Sequence, residues 1–113
     1  MDVVFGTSVW VSEVDDKGQV LTQFTDVKSP QHLSTTTDDD VFVADRANHR
    51  ILLLNSQLQL ESVPIDTNSQ EVKPWYPFRL HYNELTSQLY FVHSSSSVWG
   101  PPFYDVLSHW ILR

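Results

Sequence analysis

The residues of this chain with the chemistry to bind or react are few and scattered. Five histidines (His32, His49, His81, His93 and His109) are the candidate proton carriers and metal ligands. No two stand four residues apart or pair with a neighbouring ligand, so their spacing gives no convergent coordination set. No metal and no cofactor are expected. Asp38-Asp39-Asp40 clusters three carboxylates, without the turn glycine and closing glutamate of an EF-hand calcium loop. It reads as a solvated turn between strands, whose charge also discourages edge aggregation. Ser94 to Ser97 reads as a low-complexity loop, and no G-x-S-x-G elbow surrounds it to activate a serine. Gly6, Gly18 and Gly100 make no phosphate-cradling pattern. No catalytic residue is assigned, and the chain is not expected to be an enzyme by itself.

Binding is better served. The stretch Val98 to Asp105 carries Trp99 and Tyr104, residue types that concentrate binding energy, beside Pro101 and Pro102, which stiffen their display. Capping the sheet they leave is an equal alternative. A second candidate is Arg46, in the polar segment Asp45 to Arg50.

The elements flanking that segment define the fold. Val41-Phe42-Val43-Ala44 and Ile51-Leu52-Leu53-Leu54 are short apolar runs on either side of a turn, with Asn48 suited to a left-handed position. The pattern predicts a hairpin with Asp45 opposite Arg50 and Val43 opposite Leu52. Both runs are apolar at every position, which requires burial on both faces and hence sheets stacked face to face. Leu58 to Val63 alternates and reads as an outer strand, while Pro30 to Ser34 reads as an inner one, giving a four-strand unit.

Parts of this unit recur. Pro77-Phe78-Arg79-Leu80 repeats Pro30-Gln31-His32-Leu33, and Leu89-Tyr90-Phe91-Val92 repeats Val41-Phe42-Val43-Ala44. Trp110-Ile111-Leu112 matches Arg50-Ile51-Leu52 after a longer intervening loop. Before the full unit, Val3-Val4-Phe5, Val9 to Val14 and Val20 to Phe24 read as the second, third and outer strands of another. A period of roughly 40–50 residues with four strands per period is the signature of β-propeller blades. The expected fold is all-β, with antiparallel four-stranded blades of an incomplete propeller. Residues 1–26 are a partial blade, 27–72 a complete one, and 73–113 a partial one ending after its third strand. Blades cut open leave strand edges through which copies can associate.

Composition limits the partners. The 113 residues carry 7 Lys and Arg against 14 Asp and Glu, a net charge of −7. Phosphate repels such a chain, which disfavours nucleic acid and anionic membranes. There are no cysteines, so disulfides and thiolate zinc sites are excluded. No basic leader opens the sequence and no apolar run approaches the ~20 residues of a membrane span, so a cytoplasmic location is expected.

The segment Val41 to Ile51, Val-Phe-Val-Ala-Asp-Arg-Ala-Asn-His-Arg-Ile, resembles the NHL repeat, named for its Asn-His-Leu tripeptide; here Arg50 takes the leucine position. The likeness extends over Pro30 to Leu60, and Pro77 to Val92 is similar to the opening of another repeat. There His93 replaces the aspartate and the Asn-His pair is missing, and the first unit lacks the motif. Asp45, Asn48, His49, Arg50 and Ile51 are then the structural motif, with His49 read first as a hairpin-tip residue and second as a ligand contact. The resemblance implies a non-catalytic interaction platform with a protein partner. Its alternatives are an RNA-binding domain of the tripartite-motif type and the remnant of a propeller enzyme such as an amidating lyase. That enzyme group uses histidine, tyrosine and arginine around a central channel, for which this chain offers His49, His93, Tyr82 and Arg79. The binding candidates are therefore Arg46, His49, Arg79, His93, Trp99 and Tyr104.

Overall fold

The computed structural model describes residues 2–4, 10–66, 76–94 and 105–111. They form antiparallel sheets joined by tight turns, with no α-helix among the described residues. The strands are β1 (Asp2–Val4), β2 (Val11–Val14), β3 (Val20–Phe24), β4 (Pro30–Thr35), β5 (Val41–Asp45), β6 (Arg50–Leu54), β7 (Leu60–Ile65), β8 (Tyr76–Asn83), β9 (Gln88–Ser94) and β10 (Asp105–Ile111). The first sheet has the order β1-β2-β3, the second β4-β5-β6-β7 and the third β10-β9-β8.

The β5–β6 hairpin has the register its sequence predicts: Val43 faces Leu52 and Asp45 faces Arg50. Val41 to Ala44 and Ile51 to Leu54 are buried throughout, on both faces. Strand pleating sends alternate residues to opposite sides, and the second sheet uses each side for a separate core. Phe42, Ala44, Ile51, Leu53 and Ile65 pack against Leu80, Leu89 and Phe91 of the third sheet. Val41, Val43, Leu52, Leu54 and Leu58 pack against Val11 of the first sheet and Val27 of the connection between them. Each fully buried side chain of this size contributes about 1.5–3 kcal/mol. The middle sheet is thus covered twice.

Equivalent irregularities recur in the second and third sheets. The β4–β5 ladder shifts register between Pro30 and His32, and the β8–β9 ladder between Pro77 and Arg79. Pro30 lies opposite Asp45, and Pro77 opposite His93.

One turn device also recurs. In the β2–β3 turn, Asp15 Oδ1 accepts the amides of Lys17 and Gln19, and Gly18 takes φ +79°. In the β6–β7 turn, Asn55 Oδ1 accepts the amides of Gln57 and Gln59, and Leu58 takes φ +57°. In the β4–β5 turn, Thr36 Oγ1 accepts the amides of Asp38 and Asp40, and Asp39 takes φ +64°. A short polar side chain replaces the missing ladder partner, and the left-handed residue reverses the chain. This device corrects the expected start of the outer strand. Leu58 belongs to the turn, where its side chain plugs the core, and β7 begins at Leu60.

Candidate functional site

The end of the molecule where β4 begins, β5 ends and β6 begins is organised by Asp45. Its side chain is fully buried. Oδ1 accepts the amides of Lys28 at 2.9 Å and Ser29 at 3.0 Å, in the segment leading from β3 to β4. Oδ2 accepts Asn48 Nδ2 at 2.8 Å and Arg50 Nε at 2.9 Å. The Arg50 guanidinium reaches on to the Asp26 carbonyl, and the Arg46 amide donates to the Ser29 carbonyl. A buried carboxylate is tolerated when its lone pairs are satisfied and its charge is matched. Both conditions hold here. Asp45, Asn48 and Arg50 therefore tie the hairpin tip to the segment coming from the first sheet.

Between them, Arg46 to Asn48 form one 3-10 turn, closed by His49 in the left-handed region at φ +53°. Histidine is among the residues that tolerate this conformation. The turn directs Arg46 and His49 towards the first residue of β8. The His49 ring meets Tyr76 edge-on, with centroids 4.5 Å apart, and the Arg46 guanidinium lies 5.4 Å from the same ring's centre. A guanidinium near an aromatic ring in this range gains about 0.5–1 kcal/mol at exposed sites. Arg46, His49 and Tyr76 thus form one cationic and aromatic surface spanning the second and third sheets, all three half-buried.

The other candidates lie elsewhere. His93 is buried, 5 % exposed, with its ring 5.4 Å from Phe91, and burial holds its pKa below the ordinary histidine value. Arg79 is exposed on β8, close enough to His32 for its charge to act on that ring. Tyr82, the tyrosine of the lyase comparison, is partly buried and packs on Phe42 at the margin of the core, with centroids 4.9 Å apart. Trp99 and Tyr104 lie outside the described residues. The strand ends flanking them are described: Ser94 and Asp105 face each other, and Ser94 also faces Tyr76. Among the described residues, no three His, Cys, Asp or Glu side chains come together as metal ligands.

The sequence pattern did not reveal Tyr76 as a member of the site. The signal available to it was weak: an aromatic residue immediately before the repeated proline, Pro77. It gains significance only once β8 is placed against the hairpin tip. No helix among the described residues is long and apolar enough to cross a membrane. No protein-family model matches the chain, and no curated protein matches it.

Proposed function

We propose that this chain is a β-propeller segment of the NHL type that recognises a protein partner at the end carrying Arg46, His49 and Tyr76, without catalysing a reaction. The observation that carries the reading is the convergence of these three side chains from two sheets over a turn tied down by the Asp45 carboxylate through the Asn48 and Arg50 side chains. Rigid support under half-buried cationic and aromatic groups is what a recognition surface needs. Propeller architecture is supported by three sheets stacked in succession, two of which share a register shift after a buried proline. Closed propellers have about 4–8 blades, so the reading places this chain within a larger ring.

The test is a pull-down from cell lysate with the full chain as bait, compared with Arg46→Ala and Tyr76→Ala. A captured protein that both variants lose supports the reading. Capture that is indifferent to both substitutions, or tight and salt-sensitive RNA binding in a gel shift, would overturn it. The net charge of −7 argues for the protein outcome.

A further inference from the structure

β4 and β8 are edge strands of their sheets, and they lie side by side. Unpaired backbone groups along such edges invite strand addition or must be met in another way. Here side chains meet them. His32 Nδ1 on β4 accepts the Leu80 amide at 3.1 Å, and Ser34 Oγ accepts the Tyr82 amide at 3.3 Å. Just beyond the strands, the Glu84 carboxylate accepts both the amide and the hydroxyl of Thr37, at 2.6 and 2.7 Å. Of these ties, the one at His32 depends on a neutral imidazole. A proton on Nδ1 turns the acceptor into a donor that faces another donor.

We propose that the β4–β8 seam is a proton-operated latch, in which neutral His32 holds β8 through the Leu80 amide and protonated His32 lets that strand go. The surroundings disfavour the proton. Burial is the larger cause and the Arg79 charge on β8 the smaller, and both lower the His32 pKa. The other charged groups on the adjoining elements have partners of their own or lie further along. Asp45 on β5 is occupied by Arg50 and two amides, Glu84 by Thr37, and Arg46 lies over Tyr76. His81, two positions along β8 from Arg79, is exposed. When the latch gives, the Leu80 amide loses its acceptor, and Ser34 alone is left holding a β8 amide, that of Tyr82. Because Tyr76 begins the same strand, release also shifts the ring against which Arg46 and His49 pack. This last consequence rests on the recognition reading; the latch itself does not.

Amide hydrogen exchange, followed by NMR on the full chain, tests it. Between about pH 7.5 and a lower pH at which the His32 ring resonances show it protonated, the protection factor of Leu80, corrected for intrinsic exchange, falls about five-fold, the equivalent of one hydrogen bond. The amide of Val43 in the middle sheet keeps its protection. In His32→Asn, where Oδ1 takes the place of Nδ1 and does not titrate, Leu80 stays protected at both pH values. As a second measurement on the unaltered chain, the His32 ring and the Leu80 amide shift titrate with one midpoint. Equal Leu80 protection at both pH values, or the same loss in His32→Asn, would sink the proposal. So would a loss abolished by His93→Asn instead. Partner capture at the two pH values separates the claims: a working latch with pH-independent capture refutes only the link to the Arg46–His49–Tyr76 surface.

Discussion

Replacing Asp45 is the sharpest test of how this fold is tied together. Asp45→Ala removes four accepted hydrogen bonds in one step, from Lys28, Ser29, Asn48 and Arg50. The two backbone amides then point into the space a carboxylate filled, and Arg50, with 20 % of its side chain exposed, loses its closest counter-charge. Breaking a buried ion pair by deleting one partner costs about 3–5 kcal/mol. The partial exposure of Arg50 and its second contact with Asp26 place this case at the lower end. A chain of 113 residues has roughly 6–17 kcal/mol of total stability, so about 3 kcal/mol is a large share. Asp45→Asn sharpens the test. It keeps an acceptor for the Lys28 and Ser29 amides but turns an NH2 group towards Asn48 Nδ2 and Arg50 Nε, donor against donor. It is expected to recover no more than about half of the alanine loss. Urea unfolding gives both numbers. A loss under about 1 kcal/mol for Asp45→Ala, with an unchanged m-value, refutes the hub.

Three further outcomes follow from the packing and the titrating groups. Phe42→Ala empties a fully buried site between the second and third sheets and breaks the pair with Tyr82; a cost of about 3–5 kcal/mol is expected in urea unfolding. Gly18→Ala adds a methyl group that meets nothing within 4 Å, yet at φ +79° it costs about 1 kcal/mol through the backbone alone, measurable as a lowered Tm. His32 and His93 both have folded pKa values below their unfolded 6.5, so the unfolded chain takes up protons first. Stability is therefore complete above about pH 6.5 and falls as pH drops through that value towards the folded pKa values. Unfolding midpoints across that window check the sign, and the double variant His32→Asn with His93→Asn flattens the slope.

The hairpin was legible in the sequence because its information is local. Two continuous apolar runs around a polar turn admit one pairing that sets Asp45 against Arg50, and the structure has it. The all-β class followed from the same pattern. Asp45 was legible only by half: its ladder partner is five residues away, while the Lys28 and Ser29 amides come from a connection whose path no periodicity encodes. Tyr76 was hidden for the same reason, since it reaches Arg46 and His49 only through the docking of a third sheet. Leu58 was misplaced because alternation cannot distinguish a strand residue from a turn residue that faces inward. His93 occupies the repeat position of Asp45, and the polar character that marked it for binding accompanies a buried ring beside Phe91.

The division of the middle sheet between two cores makes strand alignment self-checking. On one side of β5 stand Phe42 and Ala44, on the other Val41 and Val43. A slip of a single residue would exchange these sets, forcing a phenyl ring into a valine-sized slot and leaving a void where it had been. The same slip would swing the Asp45 carboxylate away from Arg50 and towards the opposite layer. Misalignment is thus penalised by shape and by charge together, so a nascent chain meets one arrangement in which both layers close.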